Sequence, residues 1–181
     1  LSRVVKFEEI VKPPFKGNYE YNKDYEQFFS HKKIGKYSAK IQTVLDNIYN
    51  TISNKPNDGI ILIYSQYIDS GLIPMALALE EFGFTRFGKE AKPLFKEPPT
   101  NVVDARTMKP PETRNDFMPA RYSLITGDSR LSPDNNFEVK ALTNDTNKDG
   151  NQIKIILISR SGSEGIDLKF IRQVHILDPW Y

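Results

Sequence analysis

Apolar positions along this chain follow two different periods. From Ser38 onward, Ile41, Val44, Leu45, Ile48 and Ile52 recur at spacings of three and four, which makes one apolar helix face. Ser38 stands where an N-cap belongs, and the polar stretch 54–59, holding Pro56 and Gly59, ends the helix. Ile60-Ile61-Leu62-Ile63-Tyr64 is a continuous β-branched run, the mark of a strand covered on both faces. A second helix is expected from about Asp69 to Phe82, stopped by Gly83, and then a short edge strand over 84–87. Tyr122 to Ile125, Ile153 to Ile158 and Val174 to Leu177 read as further strands. Between the first two of these, a helix carries Phe137, Val139, Ala141 and Leu142, with Ser132 or Asp134 as its cap. Strands that alternate with helices predict an α/β fold with a doubly wound, mostly parallel sheet.

Two stretches escape this pattern. Residues 1–37 form a lead-in strap, interrupted by Pro13-Pro14 and dense in rings at Tyr19, Tyr21, Tyr25, Phe28 and Phe29. Those rings either pack on the core or form a platform that stacks bases. Residues 88–119 hold Pro93, Pro98, Pro99, Pro110, Pro111 and Pro119 with little periodicity, and read as a poorly structured insertion in a domain spanning 38–181.

The chain has 181 residues, enough for one domain, and carries a net charge of +2. Any attraction to polyanions must therefore come from a local patch. It has no cysteine, which excludes disulfides, Cys-ligated zinc and thiol nucleophiles and fits a reducing compartment. No apolar run approaches the roughly 20 residues that span a bilayer. Leu1-Ser2-Arg3-Val4 has neither an initiator Met nor a signal-peptide core, and the chain stops at Trp180-Tyr181 directly behind an apolar run. A piece of a longer protein is expected on both counts.

In an open parallel sheet, ligands gather at the carboxyl ends of the strands. Small and polar residues stand at each of those ends: Ser65-Gln66, Thr126-Gly127-Asp128, and Ser159-Arg160-Ser161-Gly162-Ser163-Glu164-Gly165. Hydroxyls, amides and glycine N–H groups suit phosphate oxygens, although the same residues also make ordinary solvated turns. No phosphate-cradling G-x-x-x-x-G-K-[ST] loop, dinucleotide fingerprint, H-E-x-x-H or nucleophile elbow is present. His175, inside an apolar strand, reads as a core or edge imidazole. Asp178 before Pro179 reads as a turn residue, with an acid or metal ligand as the alternative.

The run Ile155 to Leu168, with I-S-R-S-G-S-E-G-I-D-L at its end, resembles motif V of superfamily 2 helicases. Val174 to Trp180, reading V-H-I-L-D-P-W, is similar to the strand and turn that follow it in the Snf-like branch. Ile61 to Tyr67 resembles that branch's motif IV strand, and Ile125-Thr126-Gly127-Asp128 a strand ending in a glycine loop. Order and spacing agree across residues 38–181, and the wording is most similar to helicases of large nucleocytoplasmic DNA viruses.

The resemblance implies a RecA-like C-terminal lobe, the second motor lobe of an ATP-dependent helicase or translocase. It puts Gly165 and Asp167 in the ATP cleft. It puts Ser65, Gln66, Thr126, Gly127, Ser159, Arg160 and Ser161 along a DNA or RNA backbone. ATP and magnesium would be held mainly by a first RecA-like lobe, which this sequence lacks. The chain also ends before motif VI, usually Q-x-x-G-R-x-x-R. Arg160 and Arg172 are candidate substitutes for its arginines, but neither stands at a motif VI position. The lobe alone is expected to be inactive, with no catalytic residue and no metal ligand of its own. A viral parent would act inside the cell, in host cytoplasm or virion. Two other readings stay open: a stand-alone α/β module that binds nucleic acid or protein, and a nucleotide-dependent enzyme of another doubly wound family.

Overall fold

The computed structural model describes residues 5–15, 18–112 and 115–179, so the chain's first four and last two residues, singled out above, lie outside the described residues. Five strands form one sheet in the order β4-β5-β6-β3-β7: β3 (Ile60–Tyr64), β4 (Thr85–Arg86), β5 (Arg121–Ile125), β6 (Ile155–Ile158) and β7 (Ile171–Ile176). Every adjacent pair is parallel. This is the parallel α/β sheet expected from the alternating pattern, in the RecA-like arrangement that the family resemblance implies.

Helices cover both faces, which explains why the central strands are continuously apolar. Ile61 and Ile63 point into one core with Tyr122, Leu124, Ile155 and Leu157. Helices α3 (Ala39–Asn54) and α4 (Ile73–Phe82) close that core. Ile60, Ile125, Ile156 and Ile158 point the other way, into a core closed by Leu142 of α5 (Asn135–Thr143). Burying each such aliphatic side chain contributes about 1.5–3 kcal/mol.

Ser38 caps α3 as expected, its Oγ accepting the Ile41 N–H at 3.2 Å. Gly83 ends α4 at φ 110°. A Cβ there would sit 2.4 Å from the Asn101 carbonyl, so only glycine fits. The second helix is not regular from Asp69. A π-turn covers Ile68–Leu72, with the Leu72 N–H reaching back to the Tyr67 carbonyl at 3.1 Å, before α-geometry begins. Asp134 occupies the N-cap position of α5 but makes no cap bond there. Its carboxylate accepts instead from the N–H groups of Glu90 (2.6 Å) and Ala91 (3.2 Å).

Strand β7 starts three residues earlier than the apolar pattern suggested, and it is one of the sheet's two edges. Val174 and Ile176 are 54% and 57% exposed, so apolar residues here did not mean burial on both faces. His175 follows the edge reading; burial holds its pKa below the usual imidazole value.

The strap folds as a short helix α1 (Phe7–Ile10) and a hairpin of β1 (Val11–Phe15) and β2 (Asn18–Tyr21), followed by the one-turn α2 (His31–Ile34). Pro13-Pro14 does not exclude a strand. The pairing slips between Lys12 and Phe15 instead, since proline has no N–H to give the ladder. The rings pack inward: Tyr19, Phe28 and Phe29 are buried, and Tyr21 lies 5.0 Å from Phe95.

The described residues of 88–119 lack regular structure yet are held tightly. Buried Glu80 of α4 accepts from the N–H groups of Leu94 (2.8 Å) and Phe95 (3.0 Å) and from the Tyr122 hydroxyl (2.6 Å). Its pKa is raised by burial, against the pull of those three donors. Asp104 gathers the Met118 N–H at 2.9 Å and the Arg106 N–H at 2.8 Å. The Tyr19 N–H donates to the Leu94 carbonyl at 2.6 Å, and the Lys96 N–H to the Tyr19 carbonyl at 3.0 Å, so strap and insertion brace each other.

At the amino end of the sheet, Lys154 is fully buried. Its ammonium donates to the carbonyls of Pro56 (2.8 Å) and Asp149 (2.7 Å), tying two turns together. Burial, reinforced by Arg172, pushes its pKa from 10.5 down to about 8.

Two predictions follow from these buried groups. Glu80→Ala leaves three donors without an acceptor and should cost about 3–5 kcal/mol in urea unfolding. It should also speed proteolysis within 88–119. Lys154 binds its proton more weakly folded than unfolded. Its contribution to stability therefore rises as pH climbs from about 8 towards 10.5. The stability difference between the chain and Lys154→Met should grow over that window by about 1–3 kcal/mol, while the tyrosines common to both cancel. A difference that stays flat with pH would contradict the assignment.

Candidate functional site

The strand register places the site. Tyr64 pairs with Ile158 and Ile176, and Ile125 pairs with Ile158, so β3, β5, β6 and β7 end level with one another. The turns beginning at Ser65, Thr126, Ser159 and Leu177 therefore share one edge, and hydrogen bonds lock each to its neighbour. The Ser65 N–H donates to the Ile158 carbonyl (3.2 Å), Ser159 N–H to Ile125 (3.1 Å) and Leu177 N–H to Tyr64 (2.9 Å).

The sequence-picked residues divide into two groups. Ser65, Thr126 and Ser159 are buried, and their hydroxyls are engaged inside the protein. Ser159 Oγ–H donates to the Thr126 carbonyl at 3.0 Å and accepts the Gly162 N–H at 3.2 Å. Thr126 exchanges a 3.1 Å bond with Ser132, whose Oγ also takes the Thr126 N–H at 3.0 Å. Ser132, one of the two expected caps, is thus spent beneath this turn. These residues shape the edge and have no free donor to offer a ligand.

The second group faces solvent. Gly127, Arg160, Ser161, Gly165 and Asp167 are exposed, and Gln66 is half-buried. Ser161 Oγ–H bonds the Thr126 carbonyl at 2.7 Å, which draws the two glycine-bearing turns together. Gly127 adopts φ 75° against Ser161. Arg160 has no ion-pair partner among the described residues. Arg130, by contrast, is 88% exposed but clasped by Asp128 at 2.8 Å.

Two glycines of the third turn differ. At Gly162 a Cβ would lie 2.1 Å from the Ile125 carbonyl, so close packing demands glycine. Gly165 has φ 73° with nothing within 4 Å of where a Cβ would stand. Its backbone therefore lies open to an approaching group. Ile166 and Leu168, on either side of Asp167, anchor this stretch to the α5-side core.

Asp178, read as a turn residue with an acid or metal ligand as the alternative, ties two turns together: its Oδ2 accepts the Gln66 N–H at 3.0 Å, fixing the first turn to the last. Arg172 lies far from this edge, on the Lys55 carbonyl beside the Lys154 turns. No group of side chains able to hold a metal occurs among the described residues. No helix among them is long and apolar enough to cross a membrane.

The chain as a whole is similar to known viral proteins. A protein of African swine fever virus named as a homolog of the termination factor NPH-I is 34% identical over 155 residues, covering 80% of this chain and 21% of that protein. A second isolate's counterpart is 31% identical over 164 residues. A protein of Acanthamoeba polyphaga mimivirus bearing the name of an ATP-dependent RNA helicase is 26% identical over 163 residues, covering 83% of this chain and 14% of that protein. The chain is thus similar to proteins of large DNA viruses that carry the names of a termination factor homolog and of an ATP-dependent RNA helicase. It spans about one fifth of the length of the swine fever virus relatives. No family model matches the chain, and no solved structure does.

Gly162→Ala should destabilise the chain by about 2 kcal/mol or more in urea unfolding, because the new methyl collides with backbone. Unchanged stability would show that the two turns are not packed as described.

Proposed function

We propose that this chain is the second motor lobe of an ATP-dependent nucleic-acid helicase or translocase, residues 38–181 forming the lobe and 1–37 the strap that leads into it. Gly165 and Asp167 line one wall of an ATP cleft. Gln66, Gly127, Arg160 and Ser161 meet the backbone of DNA or RNA, on turns built by Ser65, Thr126 and Ser159. The observation that carries the reading is the level edge of exposed glycines, Ser161 and unpaired Arg160, in a homologue of viral helicase-type proteins.

The residues present suit one side of a nucleotide. The open backbone at Gly165 admits a phosphate or ribose without a side chain in the way. Nothing on this edge replaces a lysine loop or a magnesium-binding hydroxyl. We therefore assign most of the ATP and magnesium contacts to a first RecA-like lobe, and no turnover to this chain alone. When bound, the nucleotide would supply the energy for moving two lobes against each other. The part of this chain is to hold the strand and close the cleft.

The backbone reading makes binding electrostatic and indifferent to base sequence. Affinity for a single strand should fall steeply with salt. Arg160→Ala should weaken binding equally for all sequences and reduce the slope of log affinity against log salt by about 0.7–1. The purified chain, given ATP, magnesium and DNA, should release no phosphate. Measurable turnover would defeat the assignment of hydrolysis to a missing lobe, and salt-independent binding would defeat the backbone reading.

A further inference from the structure

We infer that Tyr67 is a stacking platform on which a base of the bound strand rests. The inference depends on the proposed reading that this edge follows a nucleic-acid backbone, and it adds a base contact to what is otherwise a set of phosphate contacts.

Four large aromatic side chains stand out from the described surface: Tyr37, Tyr49, Tyr67 and Phe137. Three of them lean on another ring. Tyr37 lies 4.3 Å from Phe28, Tyr49 lies 6.3 Å from Phe82, and Phe137 stacks on Phe87 at 5.6 Å. Tyr67 is 55% exposed, and among the described residues no ring lies against it and its hydroxyl has no hydrogen-bond partner. An isolated exposed ring leaves a hydrophobic face in water that a base could cover.

The backbone beneath this ring is fixed from several directions. The Tyr67 N–H donates to Ser65 Oγ at 3.1 Å, and Ser65 Oγ–H donates back to the Tyr67 carbonyl at 3.0 Å. Ser65 itself is fully buried, and Gly71 closes over it so tightly that a Cβ there would lie 2.2 Å from its Oγ. Gln66, next in the chain, is tied to Asp178. The Tyr67 carbonyl also accepts the Leu72 N–H that opens the π-turn, a rare geometry that recurs at functional sites. A surface tyrosine with no task does not require this much support. A platform does, because a ring carried on a fixed backbone has less freedom to lose when a base stacks on it.

Position favours a strand over the adenine of ATP. Ile68, adjacent to Tyr67, packs into the α3–α4 core, whereas Ile166 and Leu168, flanking Asp167, pack into the α5 core. The stretches that carry Tyr67 and the proposed ATP wall are therefore anchored in opposite faces of the sheet. The turn bearing Tyr67 is bonded directly to the end of β6, from which unpaired Arg160 projects. A ring and a free cation on neighbouring turns match a base and its phosphate.

The test compares two strands of equal length, oligo-deoxythymidine and an abasic sugar-phosphate strand, binding to the 181-residue chain and its variants. The chain should prefer the strand with bases. Tyr67→Ala should weaken binding to that strand roughly five- to hundredfold, as stacking measured by alanine substitution implies, and leave the abasic affinity and the salt slope unchanged. Tyr67→Trp should keep the preference. A Tyr67→Ala protein that still prefers bases, or an unsubstituted chain that binds both strands equally, overturns the inference while the backbone reading stands. Binding to neither strand overturns both.

Discussion

The parallel register of β6 between β5 and β3 is the constraint on which the rest depends. Ile158 pairs with Ile125 on one side and Tyr64 on the other, so three strands end at one level. A slip of one residue would turn every side chain of a strand to the opposite face, exchanging the α4-side and α5-side cores. With both faces apolar and covered, such a slip is not excluded by polarity alone. It is excluded by shape, because Ser65, Thr126 and Ser159 must fall where their hydroxyls find backbone partners. The buried polar ends of the strands therefore act as register marks, and the exposed residues beyond them inherit their positions.

That dependence explains the division among the strand-end residues. Each buried hydroxyl closes a bond inside the edge, and a buried hydroxyl left open would cost about 1–3 kcal/mol. The groups one or two positions further along are freed by this arrangement to face solvent: Gly127 after Thr126, Arg160 and Ser161 after Ser159. Tyr67 after Ser65 follows the same rule.

How much of this was legible in the sequence depended on whether the signal was local. The strands at 60–64 and 122–125 were visible as short apolar runs, and Ser38 and Gly83 marked helix ends through chemistry acting within a few residues. The order of the insertion was not visible. Glu80 reaches 14 and 15 positions along the chain to hold Leu94 and Phe95, and 42 to Tyr122. No periodicity reports such bonds. Lys154 was hidden differently: the expected strand, Ile153 to Ile158, runs straight through it, whereas the observed strand starts at Ile155, and only the fold brings Pro56 and Asp149 over the lysine. The edge position of β7 was left open because an apolar run does not say which strands will flank it. At the site, sequence found all the turns, since turn residues are local. It could not separate residues that build the edge from those that face outward, since that depends on pairing across strands.

Gly162 and Gly165 show why that separation matters for function. In the sequence they are equivalent, two glycines of one loop. In the fold, the first is required by a neighbour and the second by its own backbone angle. Alanine at Gly165 would meet no atom, and its cost would be the left-handed backbone, about 1 kcal/mol. Close packing therefore accounts fully for Gly162, so it carries no functional argument. Nothing packs on Gly165, and packing cannot account for it. A left-handed turn held open toward solvent, on an edge otherwise closed by internal bonds, is what a phosphate or ribose approaching the backbone would need. The proposed ATP wall is thus best supported at the one glycine of this loop that the fold's own packing does not explain.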